Sequence, residues 1–313
     1  MQDKTNRAAV NVSAIVEVLS FDPRRMRVDV EPLSKYLEGG EYKSQPPILD
    51  VPVTYTKMGG YIIRPWIKKG DIGHVIYVDH DIDRVAFTGE EEIPNTERNH
   101  SASDAMFIGG IVIGNNPMEG LPDDAVCIST DDAVVYIAVR QDEIILITKN
   151  RETGANTYNL SLNGLNGLMN LAVQDFNIGT TIFNIGIDAA SGILSASAIH
   201  ATKGAETINA LIDGKNAIAS IKTKNIDSDK ESLDMSIDGD KGRIKVKTNN
   251  YIEDKTVLEY DLYGPDGDIS LEIINHETDK KTVDAKVDGQ NGAILVQTFD
   301  KDDGSITGTF RLP

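Results

Sequence analysis

The sequence predicts an all-β protein: a small N-terminal barrel, a connecting β-hairpin region, and a repetitive C-terminal shaft of β-helix or β-prism type formed by three copies of the chain. Three observations lead there. The second half repeats strictly every 25 residues; the residues flanking each repeat's turn alternate apolar and polar; and the first half breaks into short alternating segments punctuated by Gly and Asp. The chain has 313 residues, 40% of them hydrophobic, with 27 Gly and 11 Pro, a composition suited to a folded protein with many tight turns.

In the first half, residues 10–20 and 26–31 alternate as strands around a D-P-R-R turn at Asp22 to Arg25. Further strands are expected at 50–57, 60–67, 73–79 and 107–113, with Gly59-Gly60 and Lys69-Gly70-Asp71 as turns. Residues 32–48 are expected as a long loop or one short helix, and 89–106 as a polar connection. Short strands at this spacing suggest a small barrel. A hairpin at 125–148, turning at Arg140 to Glu143, leads into the repeats.

The repeat is anchored by Asn163, Asp188, Asp213, Asp238, Tyr263 and Asp288, each 25 residues after the last. The next column reads Gly164, Ala189, Gly214, Gly239, Gly264, Gly289, and three residues further on Gly167, Gly192, Ala217, Gly242, Gly267, Gly292. Each unit is thus expected to be a hairpin closed by a D-G-x-x-G turn in which Gly supplies a positive φ. A second turn sits nine residues before the anchor, at Gly154, Gly179, Gly204, Asp229, Asp254 and Asp279. Ile187, Ile212, Ile237, Ile244, Val246, Ile269, Val287 and Ile294 fall on the apolar side and are expected to form the trimer core on the shared axis, whereas Ser232, Asp234, Ser236, Lys245 and Lys247 fall on the other. Twelve strands with one slim apolar face, where Ala196, Ala210, Ala219 and Ala285 recur, require a cover. Three copies around a narrow axis close such a prism with the fewest sheets; a single-chain solenoid is the alternative.

The net charge is −18, shared equally between residues 1–150 and 151–313, which argues against nucleic acid as a partner. The single cysteine, Cys127, cannot make an intrachain disulfide and suits assembly in a reducing cytoplasm. The longest apolar stretch, 105–114, is about half the length of a membrane helix, and a soluble protein is expected.

The segments R-P-W-I-K-K-G-D-I-G-H-V-I-Y-V-D-H-D-I-D-R (64–84) and R-N-H-S-A-S-D-A-M-F-I-G-G-I (98–111) resemble the N-terminal barrel of central spike proteins of contractile phage tails and related bacteriocin particles. The resemblance implies an oligonucleotide/oligosaccharide-binding (OB) type barrel at 8–115, a connection at 116–150 and a trimeric needle at 151–313. It further implies baseplate hub or tail tube proteins as partners at the N-terminal end, transient contact with the host envelope, and a place in a virion or phage-tail-like particle. Several members of that family end in a His-x-His apex that holds iron; here the last histidine is His276. The end is therefore expected to be blunt and without iron, with Phe310 and Leu312 as an apolar tip that is self-sealed or covered by a separate small tip protein.

No catalytic site, cofactor or metal site is expected. His100, Ser101, Ser103 and Asp104 lie too close in sequence to converge as a triad; His100 and Asp104 are read as structural, hydrogen-bonded to each other or to a neighbouring subunit at the barrel-to-shaft connection. His74 and His80, on one face of one strand, would be too far apart to share an ion. The Asp-Gly turns are explained by turn chemistry; calcium-binding β-rolls have far shorter repeats. The expected function is mechanical, a needle that transmits contraction force to pierce the host cell envelope. The alternative is a tail-associated carbohydrate-binding adhesin using a patch at Tyr251, Tyr260 and Tyr263.

Overall fold

A computed structural model describes residues 12–114, 118–250 and 255–313. The chain divides into two compact units, Met1–Met118 and Glu119–Pro313. In the first, the strands are β1 (Ser13–Asp22), β2 (Arg27–Pro32), β3 (Tyr36–Glu38), β4 (Glu41–Lys43), β5 (Ile48–Pro52), β6 (Thr56–Met58), β7 (Tyr61–Ile63), β8 (Ile72–Tyr77) and β9 (Ala105–Gly109). Five of them form an antiparallel half-barrel in the order β5-β2-β1-β8-β9. The outer strands approach at Val53, which forms a parallel bridge to Phe107, and the Thr54 N–H donates to the Phe107 carbonyl at 2.9 Å. Alternation aims Val16 and Val18, Val28 and Val30, Val75 and Phe107 into one core, all at 1% exposure or less. Gly73 is required there, because a Cβ would lie 2.6 Å from Cε2 of the Phe107 ring.

Three expectations for this unit are corrected. Residues 32–48 are neither long loop nor helix: they hold the β3–β4 hairpin, turned at Gly39 and Gly40 with φ of +62° and +88°. This matches the β6–β7 turn at Gly59 and Gly60, with φ of +55° and +84°; both hairpins take the doubly positive turn that fits the strands' twist. A short helix, α1 (Asp83–Thr88), followed by a 3-10 turn at Ala102–Asp104, interrupts the polar connection, so the fold is nearly rather than wholly all-β. Strand β8 ends at Tyr77, which places His80 outside it.

The second unit is one antiparallel sheet of sixteen strands, each paired with its sequence neighbours. It opens with β10 (Val126–Ser129), β11 (Val135–Val139) and β12 (Glu143–Lys149), so the expected 116–150 hairpin region pairs directly with the repeats and contributes three strands. The repeat strands are β13 (Asn156–Asn163), β14 (Leu168–Gln174), β15 (Thr181–Asp188), β16 (Ile193–Ile199), β17 (Glu206–Asp213), β18 (Ile218–Lys224), β19 (Glu231–Asp238) and β20 (Arg243–Asn250). They continue with β21 (Lys255–Tyr263), β22 (Asp268–Asn275), β23 (Lys280–Asp288), β24 (Ala293–Phe299) and β25 (Ile306–Leu312). The repeats contribute thirteen strands, β13 to β25, against the twelve expected, and open sheets rarely pass about ten strands without curling or splitting.

Among the described residues, the loops between repeat strands at both edges share one four-residue form, with Tyr263 and His200 the departures from its usual Asp or Asn anchor. An Asp or Asn before the loop accepts backbone N–H groups on its Oδ1, and the loop's fourth residue is left-handed. On one edge Asp188 accepts from Ala190 and Ser191, Asp213 from Asn216, Asp238 from Lys241 and Asp288 from Asn291, at 2.9–3.2 Å. On the other, Asn150, Asp175, Asn225, Asn275 and Asp300 play the same part, and His200 substitutes its Nδ1, accepting from the Lys203 N–H at 3.3 Å. The 25-residue unit is therefore two near-equivalent halves of 13 and 12 residues. A register shift recurs wherever the Asn150-type loop closes the pair, as between Val173 and Gln174 and between Thr223 and Lys224.

The positive φ belongs to the second turn glycine, not the first: Gly192 has +71°, Gly242 +57°, Gly292 +67°, and Ala217 carries +50° in the same slot. Gly214 and Gly239 are small for another reason. Their N–H groups donate to the carbonyls of Gly192 and Ala217 in the preceding turn at 2.9 and 2.8 Å, and a Cβ would sit 3.2 and 3.1 Å from those same carbonyls. At Gly289 a Cβ would fall on the backbone of Asp266 and Gly267.

Candidate functional site

The register turns the alternation of each strand into rows that cross the whole sheet. One row runs Val126, Val139, Ile144, Leu162, Met169, Ile187, Leu194, Ile212, Ala219, Ile237, Ile244, Leu262, Ile269, Val287, Ile294 and Leu312, one residue per strand and every one apolar. Seven of the eight residues expected on the shared axis lie in it. The eighth, Val246, lies in the neighbouring row on the same face, between Met235 and Tyr260. Ile187 is 37%, Ile237 39% and Ile212 54% exposed. Where Ala210 and Ala219 thin the rows, the face dips into an apolar trough of about 190 Å3 bounded by Leu194, Ile212, Ile221 and Met235.

The opposite face is mainly polar, interrupted by Leu211 and Leu295, and changes character along the chain. Ser161, Asn170, Gly186 and Ser195 give way to Lys245, Asp261 and Lys286 in one row. In the charged part, ion pairs cross the strands: Lys222 to Asp234 at 3.2 Å, Lys245 to Glu259 at 2.6 Å, Lys281 to Glu272 at 2.7 Å. Phe310 pairs with Val296 and Leu312 with Ile294, which places both on the apolar face of the edge strand β25. The structure does not assemble the expected tyrosine patch. Tyr260 lies in an apolar row, Tyr263 three residues on belongs to the opposite face, and Tyr251 lies outside the described residues.

In the first unit, Arg98 gathers three carboxylates. Its Nε and Nη2 donate to the two oxygens of Asp104 at 2.7 and 2.9 Å, and Nη2 also lies 2.9 Å from Asp83 and 3.2 Å from Asp81. Asp104 is wholly buried and also accepts from the Ile82 N–H at 3.0 Å. Asp81 accepts from the Asp83 N–H and the Thr96 hydroxyl; chiefly the former lowers its pKa. These three acids are close enough to serve one ion, yet the cation among them is the Arg98 guanidinium, whose own pKa the Asp104 carboxylate raises. Asp104 is therefore bonded to Arg98 rather than to His100, whose Nε2 faces Asp79 at 3.5 Å. His80 bonds Asn99 at 2.9 Å. Arg98, which joins 98–104 to the segment after β8, is a residue that sequence reasoning passed over; the excess of Asp around it was the available signal.

Residues 15–110, most of the first unit, match the family described as the phage protein Gp138 N-terminal domain. That match supports a phage structural protein, associated with the virion. No curated protein matches the chain. Among the described residues no helix is long and apolar enough to cross a membrane.

Proposed function

We propose that the chain is the central spike of a contractile tail baseplate, a homotrimer whose repeat sheets close around a common axis and transmit contraction force to the host envelope without catalysis. The observation that carries this reading is the unbroken apolar row across sixteen strands, in a chain whose first unit matches a phage domain. Burying an exposed aliphatic side chain contributes about 1.5–3 kcal/mol, so a face of several such rows in one copy leaves a large driving force for association. Three copies hide these faces from water while keeping the polar rows outside. The five-strand order β5-β2-β1-β8-β9, with its parallel contact between the outer strands, supports the OB-type reading of the first unit. Baseplate hub or tube proteins would meet that unit, and a self-sealed or separately capped tip without iron would end the needle.

The experiment is genetic and structural. Particles assembled without this chain should retain sheath and tube yet lose the ability to permeabilise target cells, and gold-labelled antibody to the repeat region should mark the baseplate. Label along the sheath, or undiminished permeabilisation, would refute the spike reading.

A further inference from the structure

The first unit carries two exposed surfaces of opposite charge that share one chemical pattern. Residues 51–70 hold Lys57, Arg64, Lys68 and Lys69 and no carboxylate, in a chain of net charge −18. Its centre is the β6–β7 hairpin, which forms its own two-stranded sheet apart from the half-barrel, with Lys57 on β6 and Arg64 directly after β7. Its apolar side chains stand in solvent: Tyr61 is 84% exposed and Met58 72%. Residues 79–98 hold seven carboxylates against Arg84 and Arg98, the latter paired with Asp81 and Asp83. There α1 and the following loop form an open cleft of about 520 Å3 lined by Asp83, Arg84, Phe87, Thr88, Glu92 and Asn95. Phe87, which lines the cleft, is 91% exposed, and Ile93, next to the lining residue Glu92 in sequence, is 78% exposed.

We propose that the β6–β7 hairpin of one copy docks into the α1 cleft of the next copy in the spike, with the Met58–Tyr61 turn against Phe87 and Ile93, and Lys57 and Arg64 facing Glu90 and Glu91. Charge complementarity favours this occupant. A basic, aromatic tip meets an acidic, apolar receptacle, and like surfaces repel, so the contact pairs unlike patches, as head-to-tail ring contacts do. Within a single chain neither surface covers the other. The inference rests on the association proposed above, and it assigns the N-terminal unit its own intersubunit contact, independent of the repeat sheet.

The test uses full-length chains with Cys127→Ser, one carrying Tyr61→Cys and a second, differently tagged, carrying Ile93→Cys. Mild oxidation of the co-produced pair should give an interchain disulfide containing both tags, whereas chains carrying only Tyr61→Cys, or only Ile93→Cys, should give none. Adding Lys57→Glu and Arg64→Glu to the first chain should lower the yield at least fivefold, and Glu90→Lys with Glu91→Lys on the second should restore it, which misfolding would not. A Tyr61–Tyr61 link, or no link in a protein that is still trimeric, overturns the docking and leaves the spike reading standing; a monomer overturns both. Co-sedimentation of the full-length protein with phosphatidylglycerol vesicles, abolished by Lys57→Glu with Arg64→Glu, in place of cross-linking would also overturn it, by assigning the basic surface to an anionic membrane.

Discussion

Asp104 illustrates how a buried charge holds a connection in place. It has no solvent contact, and its partner Arg98 retains some, so Asp104→Ala leaves a guanidinium that can reach water and an unpaired Ile82 N–H. The expected loss is about 3 kcal/mol, at the lower end for a broken buried pair, read as a fall in the denaturant midpoint of the first unit's transition. Turn residues predict a pH dependence. Asp188, Asp213, Asp238 and Asp288 are each held below the usual 3.8, first by a side-chain hydrogen bond from the residue three positions on. Their contribution is therefore present above pH 3.8 and is lost as the pH falls below it. Thermal melts should fall as the pH drops below about 4, and the four Asp→Asn substitutions together should make that acid limb shallower, the other lowered carboxylates such as Asp29 and Asp261 keeping the rest of it. His200, alone among the described residues of its column in lacking an Asn or Asp side chain, should gain about 0.5 kcal/mol as His200→Asn; no rise in melting temperature would show that the loop does not depend on its first acceptor.

The hairpin is the unit in which the sequence was most readable. Period-two alternation and the 25-residue column placed the turns, and the observed register follows them without an insertion. What was missed has physical causes. The half-repeat was hidden because its second anchor column mixes Asn, Asp and His, three side chains that share an acceptor but not a letter. The β3–β4 hairpin was masked by prolines and charge, although Glu38-Gly-Gly-Glu41 has the same turn as Gly59-Gly60. Helix α1 has six residues and none is buried, so no periodic apolar stripe announced it. The Arg98 cluster depends on tertiary approach that spacing cannot reveal. Strict period makes a direct prediction: deleting 206–230 removes one whole unit and should give a soluble, shorter assembly, whereas deleting 206–217 keeps a loop anchor, Asn225, in place of Asp213 but puts Ser220, Lys222 and Lys224 in the apolar rows and should misassemble. Equal behaviour of the two would mean that the period is not structural.

Across the whole chain, the nearly all-β character was legible, and so was the one-sided apolar sheet. The number of copies was not, because a face records that it needs covering and not by how many partners. Ile237 and Ser236 separate the two faces. Ile237→Asp places a carboxylate in the apolar row of every copy and should abolish association, while Ser236→Asp, between Ser220 and Lys245 on the polar face, should be nearly silent. The central claim is that this face is buried between three identical chains. Multi-angle light scattering of the purified full-length protein measures it most directly: the account predicts a single species of three times the 34.1 kDa chain mass, lost in Ile237→Asp, and a well-folded monomer of 34.1 kDa would contradict it.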